Sequence, residues 1–214
     1  RGEAYYRLNR MEEAKRNFTD YLQLTQQTHN EMYALAHYNL GYIAFHQKDY
    51  TQAQNWFRKY ISLEKGENKT ALADAYNRIG DCYLDVRNFD KAKHYYSQAE
   101  AMNTPSGDYS FYQLALVSGL QKDYSGKITL LNRLAGKYPA SPYAISALYE
   151  KGRSYVLMDN NQQAIASFKE LLAKYPESPV SRKAAAEIGL LYYQNEDYDQ
   201  AINAYKQVVQ KSPG

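Results

Sequence analysis

The residues of this chain whose types could carry out chemistry are four histidines, one cysteine and 24 tyrosines. His29, His37, His46 and His94 do not have the spacing that would place two metal ligands on one helical face. Cys82 is alone, so it can form neither an internal disulfide nor a cysteine zinc site. Tyrosine makes up about one residue in nine, which is far above normal usage.

Several function classes are excluded by missing motifs and by composition. The chain has no glycine-rich phosphate loop, no His-Glu-x-x-His and no Gly-x-Ser-x-Gly sequence. It has 26 Lys and Arg against 23 Asp and Glu, a balance that a nucleic-acid module would not have. No apolar run reaches the roughly 18 residues of a membrane helix. We therefore expect no enzyme, no cofactor, no metal, no nucleic-acid partner and no transmembrane segment in this chain.

The elements that position these residues repeat along the chain. Only 11 glycines and 6 prolines occur, which favours long helices. The chain aligns with itself at spacings of 39, 39, 35, 37 and 37 residues. The small residues that start the alignment are Gly2, Gly41, Gly80, Ala115, Gly152 and Gly189. The alignment defines six repeats, with approximate bounds 1–29, 30–68, 69–106, 107–140, 141–177 and 178–214.

Each repeat has the pattern of two helices. In the second repeat, apolar residues recur at helical spacing up to Ala44, the pair Lys48-Asp49 interrupts them, and the same period resumes from Tyr50 to Ile61. A small residue in the first helix and another in the second allow close approach, and an aromatic residue sixteen positions after the glycine fills the space between repeats. Because so short a hairpin cannot bury its own apolar stripe, it must stack on the next one.

This pattern resembles the tetratricopeptide repeat over essentially the whole chain. The sixth repeat carries the family's signature as Ile188-Gly189, Tyr192, Ala201, Tyr205 and Pro213. The resemblance implies an all-α solenoid of stacked antiparallel helix pairs in a right-handed superhelix, with the first of six repeats truncated. The fourth repeat departs from the signature at three positions: Ala115, Ser118 and Lys127. Since the chain does not begin with Met, we expect it to be a piece of a longer protein.

A narrower resemblance concerns two linkers. Residues 138–143 read Tyr-Pro-Ala-Ser-Pro-Tyr, and residues 175–180 read Tyr-Pro-Glu-Ser-Pro-Val. Proline ends one helix, and serine or proline starts the next. Such linkers are similar to those of tetratricopeptide proteins of Gram-negative cell envelopes, such as the Tol–Pal-associated periplasmic protein and the β-barrel assembly lipoprotein. This resemblance implies a periplasmic or outer-membrane-associated location, with the cytoplasm as the alternative.

The family resemblance also implies where a partner binds. In tetratricopeptide proteins the first helix of each repeat lines the concave side, and the positions three before, one after and four after the glycine point into the groove. The residues that we expect to bind a partner there are Tyr38, Tyr42, Phe45, Asn77, Asp81, Tyr112, Leu116, Tyr149, Arg153 and Tyr193. Exposed aromatic and apolar residues on one stripe suit a peptide or helix of another protein. The alternative is that some of them pack against loops or flanking repeats.

The resulting hypothesis is a non-enzymatic scaffold for protein–protein interaction, with a role in cell-envelope assembly or maintenance. A glycan-binding module is the alternative function, because tyrosine faces stack on sugars and Asn77, Asp81 and Arg153 offer partners for hydroxyls. Cys82, His37, Tyr96 and Tyr205 fall on core positions, so a structural role is expected for each. The sequence leaves partner identity and oligomeric state open.

Overall fold

The computed structural model describes residues 1–25 and 31–210, with side chains up to residue 206. Throughout that part the regular secondary structure is α-helical and no strand occurs, which confirms the all-α prediction. His29 and Pro213 lie outside the described residues. The helices are α1 (Gly2–Arg7), α2 (Met11–Leu24), α3 (Glu31–His46), α4 (Tyr50–Leu63), α5 (Lys69–Asp85), α6 (Phe89–Ala101), α7 (Gly107–Leu120), α8 (Tyr124–Lys137), α9 (Ala144–Val156), α10 (Asn161–Lys174), α11 (Pro179–Gln194) and α12 (Tyr198–Gln210).

The chain divides into two compact units, Arg1–Ser110 and Phe111–Gly214. Unit 1 contains α1 to α6 and the first turn of α7, and unit 2 contains the rest of α7 and α8 to α12. Consecutive helices form hairpins, and the second helix of one hairpin packs on the first helix of the next, as α4 does on α5 and α10 on α11. This is the stacking of a tetratricopeptide solenoid. The first hairpin is short because α1 has six residues.

The turn inside each hairpin has the same backbone conformation. One non-glycine residue per turn is left-handed, with φ between 54° and 63°: Asn9, Lys48, Arg87, Lys122, Asp159 and Glu196. In the second hairpin the Lys48 N–H donates to the Phe45 carbonyl, and the Asp49 N–H donates to the Ala44 carbonyl, both at 2.9 Å. These two bonds are the Schellman arrangement that closes a helix C-terminus. A constant turn holds the two helices of each pair at one angle.

Asparagine or aspartate then begins the second helix in five of the hairpins. The Asp49 carboxylate accepts a hydrogen bond from the Gln52 N–H at 3.1 Å, which satisfies one of the unpaired donors at the start of α4. The same bond is made by Asn88, Asp123, Asn160 and Asp197. Arg10 stands at this position in the first hairpin and makes no side-chain cap.

Close contact between a glycine and an aromatic ring fixes the distance between paired helices. A Cβ added to Gly80 would lie 2.6 Å from the Tyr96 ring, and one added to Gly152 would lie 2.4 Å from the Phe168 ring. Gly41 has the same relation to its ring, at 2.7 Å. The fourth hairpin differs, because Ala115 packs in one core cluster with Leu131, a smaller side chain.

Three of the four expected core residues are buried. Cys82 is fully buried among apolar side chains of unit 1, and burial raises the pKa of its thiol to about 12. His37 is also buried, with Nδ1 2.9 Å from the Tyr33 carbonyl oxygen. Tyr96 has no exposed surface, but the prediction for Tyr205 is wrong in part, because 40% of it is exposed. Its ring contacts Gly189, and no described helix comes after α12 to cover its other side.

The capping bond at Asp49 allows a direct test of hairpin stability. We expect Asp49→Ala to lower the free energy of unfolding by about 1 kcal/mol, because the Gln52 N–H loses its acceptor. Asp49→Asn is the matched control, since its side-chain oxygen can accept the same bond. Urea unfolding followed by circular dichroism measures both. Equal stabilities for the alanine and asparagine variants would contradict the capping role.

Candidate functional site

The residues predicted to bind a partner lie on first helices of consecutive hairpins. Within each unit, we call the surface that these helices form the first-helix face. It consists of α3, α5 and the first turn of α7 in unit 1, and of the rest of α7, α9 and α11 in unit 2. Four of the five predicted residues of unit 1 make hydrogen bonds to a neighbouring hairpin, and Tyr149 and Arg153 do so in unit 2. The two units are therefore taken one at a time.

In unit 1, Tyr38 and Tyr42 bind one carboxylate of the next hairpin. Both hydroxyls donate to Oδ2 of Asp74, the Tyr38 bond at 2.7 Å. The two rings meet edge to face with centroids 5.1 Å apart, and each also contacts the Phe57 ring. The hydroxyls thus fix the rings in place, and half-buried ring surface remains on the face.

Asp81 is the centre of a second cross-hairpin contact. Its Oδ1 accepts hydrogen bonds from the hydroxyls of Tyr96 and Tyr109, both at 2.7 Å. Its Oδ2 lies 2.7 Å from Nη1 of Arg78, which also lies over the rings of Phe45, at 5.8 Å, and Tyr109, at 4.8 Å. Oδ1 of Asp81 is therefore occupied by two hydroxyls of its own chain, whereas Oδ2 makes no hydrogen bond and is held by the ion pair with Arg78.

The Tyr42 and Asp81 contacts use the same positions of the repeat with the groups exchanged. Tyr42 and Asp81 each follow the glycine of their hairpin by one residue, and Asp74 and Tyr109 each occupy the position six residues before the next small residue of the alignment. A tyrosine binds an aspartate at one junction, and an aspartate binds a tyrosine at the next. The sequence pattern alone did not identify this pairing.

Asn77 and Phe45 complete the predicted set in unit 1. Asn77 is only 5% exposed, and its Oδ1 accepts a hydrogen bond from the Ser110 hydroxyl at 2.9 Å. Phe45 is half-buried and carries Arg78 above its ring. In this unit the predicted polar residues hold the helices to one another, and the predicted aromatic residues keep part of their ring surface exposed.

Electrostatics in unit 1 follow from this burial. Burial, followed by the charge of Asp74, raises the pKa of Tyr38 and Tyr42 well above the ordinary value of 10.0. Burial also raises the pKa of Asp81 above 3.8, although Arg78 and the two tyrosine hydroxyls act in the opposite direction. Burial and the Asp81 charge raise the pKa of Tyr96 in the same way.

In unit 2, Tyr112 and Leu116 lie half-buried on α7. The Tyr112 ring stacks on Tyr143, with centroids 4.8 Å apart and planes at 14°. Lys127 takes the place of the alanine found in the other second helices. Its side chain packs against Gly119, where an added Cβ would lie 2.9 Å from Cδ of Lys127. Only 6% of Lys127 is exposed, and its ammonium pairs with Glu150 on α9. Lys127, one of the departures of the fourth repeat from the family pattern, thus connects this hairpin to the next by an ion pair.

The α9–α11 part of unit 2 is the most exposed part of the predicted set. The Tyr149 hydroxyl and Nη1 of Arg153 donate to Oε1 of Glu187, at 3.2 Å and 2.7 Å. Next to Glu187 along α11, Leu190 is 44% exposed and Tyr193 is 59% exposed. The Arg153 side chain is 44% exposed as well, so apolar and charged groups are both open to solvent here.

Some of these residues were missed by reasoning from the sequence. Arg78, Tyr109 and Glu187 form the contacts that hold Asp81 and Arg153, but none was predicted as part of the site. Arg78 could have been found from the sequence, because Asp74, Arg78 and Asp81 follow one another at intervals of four and three residues on one helix. Nothing in the repeat pattern predicted that Tyr149 and Arg153 would both bind Glu187.

Neither a metal centre nor a membrane span is found in the part of the chain that the structure describes. No group of three or more His, Cys, Asp or Glu side chains there has the geometry to hold a metal ion. No helix within the described residues is both long enough and apolar enough to cross a bilayer.

Comparison with family models identifies the repeats. One tetratricopeptide repeat model matches residues 32–104, and another matches residues 77–142 and 149–214. The second model alone accounts for more than half of the chain. The chain belongs to the tetratricopeptide repeat family. Members of this family serve as scaffolds for protein interactions, so the coarse function is that of a tetratricopeptide scaffold.

A search of curated proteins gives a short sequence match to one relative. The uncharacterized protein ycf37 of Guillardia theta is 40% identical over 62 residues, which are 29% of this chain and 35% of that protein. The chain thus spans about a third of that relative's length.

Among the solved structures that resemble this tetratricopeptide chain are a MamA protein and YrrB. A crystal structure of a MamA protein has a TM-score of 0.68 at 18% identity and covers 83% of this chain and 91% of its own. YrrB, described as a tetratricopeptide protein with an unusual peptide-binding site, has a TM-score of 0.66 at 17% identity, with 92% of each chain covered. At these identities the likeness shows the fold.

The raised tyrosine pKa values predict a loss of stability in alkali. Tyr38, Tyr42, Tyr60 and Tyr96 have a pKa above 10.0 in the folded chain. A folded pKa above the unfolded one gives stability that is fully present below the unfolded pKa and is lost as pH rises beyond it. The free energy of unfolding should therefore fall above about pH 10, by up to about 1.4 kcal/mol per pH unit for each such tyrosine.

Circular dichroism and tyrosinate absorbance, recorded together during an alkaline titration, measure this effect. Part of the tyrosinate signal should appear only as helicity is lost, and Tyr42→Phe should make the decline less steep. Titration of all tyrosines near pH 10 in a chain that stays helical would contradict the prediction.

Proposed function

We propose that the α9–α11 part of the first-helix face binds a short segment of another protein. Leu190 and Tyr193 are the apolar anchors, and Arg153 with Glu187 forms the polar rim. The observation that carries this proposal is the exposure of two large apolar side chains, 44% and 59%, one turn apart on the helix where family resemblance places the binding surface.

Several features of this surface support binding. Anchors in protein interfaces are commonly aromatic and lie beside a rim of polar groups. The bond from Arg153 to Glu187 holds both side chains in place before a partner arrives, which lowers the entropic cost of binding. Arg153 also keeps donors for a backbone carbonyl or a carboxylate of the partner. The described peptide-binding site of YrrB is consistent with a peptide partner here.

We assign a different role to the predicted residues of unit 1. Tyr38, Tyr42, Asn77 and Asp81 all bind groups of the neighbouring hairpin. A ligand that took these hydrogen bonds would leave buried polar groups unpaired, at a cost of about 1–3 kcal/mol each. In this proposal these residues set the spacing of the hairpins, and only their ring surfaces are available to a partner.

The cell-envelope location remains part of the proposal. Its support is the pair of Tyr-Pro-x-Ser-Pro linkers that precede α9 and α11. Fractionation of cells that express the native protein, with immunodetection of periplasm, membranes and cytoplasm, tests it. Recovery in the cytoplasm alone would overturn the envelope role and leave the peptide-binding proposal in place.

Peptide binding is tested with ligands selected on the protein itself. Peptides from a random display library are synthesised and titrated by calorimetry into the wild type and into the double variant Leu190→Ala/Tyr193→Ala. We expect at least tenfold weaker binding by the variant, because it lacks the two side chains that the partner would bury in the complex. Its thermal stability should hardly change, since both side chains are exposed.

Leu157→Ala/Met158→Ala is the matched control. These two side chains are also apolar and similarly exposed, 52% and 45%, but they lie in the turn between α9 and α10. Binding by this variant should stay within twofold of the wild type. Equal weakening in both double variants, or a library that yields no ligand, would count against the proposal. Muropeptides and oligosaccharides are titrated in parallel, and heat from them alone would favour the glycan alternative.

A further inference from the structure

The opposite side of unit 1, formed by second helices, contains an arginine without a counter-ion. Nη2 of Arg58 on α4 donates to Oε1 of Gln54 at 3.1 Å and to the Tyr83 hydroxyl at 2.5 Å, and Nε donates to the Tyr95 hydroxyl at 3.3 Å. All three acceptors are uncharged. Within the described residues Arg58 forms no ion pair with a carboxylate. A half-buried positive charge is thus left without an anion.

The same contacts hold the guanidinium in one orientation. Its carbon lies 5.8 Å and 5.9 Å from the ring centroids of Tyr83 and Tyr95, and these two rings stack on each other. Nη1 takes part in none of the hydrogen bonds, and it is not among the buried atoms of unit 1 that lack a partner. Two N–H donors of a fixed guanidinium are therefore open to solvent.

A groove lies beside Arg58 between α4 and α6. Its volume is about 390 Å³, and we call it the Arg58 groove. Besides Arg58 it is lined by Ile61, Ser62, Tyr76, His94, Tyr95 and Gln98. No acidic residue lines it, and His94, Gln98 and Tyr76 can each donate a hydrogen bond. The His94 ring meets Tyr95 edge to face at 5.3 Å, so the groove has an aromatic wall.

We propose that the Arg58 groove binds an oxyanion, a carboxylate or a phosphate monoester, on the side chain of an acidic peptide. Nη1 of Arg58 donates to the oxyanion, and His94 and Gln98 donate from the side. Arginine suits this role because its planar fork matches both groups, and an anion neutralises the otherwise unpaired charge. This surface is separate from the α9–α11 face, so the two proposals succeed or fail independently.

The fifth repeat carries a lysine at the position that Arg58 occupies in the second repeat. Lys169 and Arg58 both follow their glycine by seventeen residues. Nζ of Lys169 donates to the Tyr192 hydroxyl at 2.9 Å and lies 5.4 Å from that ring, as Arg58 does with Tyr83. A lysine therefore suffices for the contact between hairpins. The contact with the tyrosine of the next hairpin does not explain why Arg58 also presents Nη1, which makes no hydrogen bond, to solvent.

The test follows the Arg58 Nε–H signal of the labelled protein by nuclear magnetic resonance. Three synthetic peptides of one sequence are titrated that differ at a single residue, which is Glu, phosphoserine or Gln, and inorganic phosphate forms a fourth arm. We expect saturating shifts with the Glu or the phosphoserine peptide, and the stronger of the two identifies the anion. Binding by the variants is measured by calorimetry, because Arg58→Gln has no Nε–H signal to follow. Arg58→Gln should bind at least tenfold more weakly, and Lys169→Gln, the matched control, within twofold of the wild type.

A second variant keeps the test decisive if Arg58→Gln does not fold. Gln98→Glu places a carboxylate at the exposed rim of the groove, where it competes for the donors and repels an anion. It should weaken binding at least tenfold, whereas Gln98→Ala should stay within about threefold. Equal binding of the Gln peptide, or unchanged binding by Gln98→Glu, would overturn the proposal.

Discussion

A glycine in contact with an aromatic ring sets the geometry of five of the six helix pairs in the described part of the chain. Because a Cβ at Gly80 or Gly152 would come within 2.6 Å or 2.4 Å of the facing ring, the two helices are closer than a side chain would permit. The ring fills the space that the glycine leaves, and the hairpin gains a fully buried aromatic residue. In the fourth hairpin the glycine is replaced by Ala115 and the ring by Leu131, so the larger residue is balanced by a smaller one.

Helix pairs of this size must stack, and stacking determines which residues remain for binding. In unit 1 the hydroxyls and carboxylates of the first-helix face bind across hairpins, as in Tyr42 with Asp74 and Tyr109 with Asp81. On α11 of unit 2, Leu190 occupies the position of Tyr42 and Asp81, and Tyr193 occupies that of Phe45; both side chains are exposed. The same repeat positions thus serve cohesion in one unit and an open apolar surface in the other.

Much of the fold could be predicted because the repeat imposes the same requirement every 35 to 39 residues. The phased glycines and rings predicted the helix pairs, and Cys82 and His37 were recognised as core residues from their positions alone. Side-chain partners could not be predicted in this way. The role of Asp81 depends on Tyr109 of the next hairpin, and that of Arg153 depends on Glu187, so each requires knowledge of how two hairpins meet. Exposure of Tyr205 depends on whether another helix packs beside α12, and the repeat pattern does not contain that information.

A double-mutant cycle on Gly152 and Phe168 tests the central claim most directly. Gly152→Ala alone should destabilise the chain by about 1–3 kcal/mol, because the new methyl group overlaps the ring. Phe168→Leu creates the room that Leu131 provides opposite Ala115, so the double variant should be more stable than the sum of the single effects predicts, by at least about 1 kcal/mol. Additive effects in urea unfolding would contradict the account, because the contact between glycine and ring would then not limit the distance between the helices.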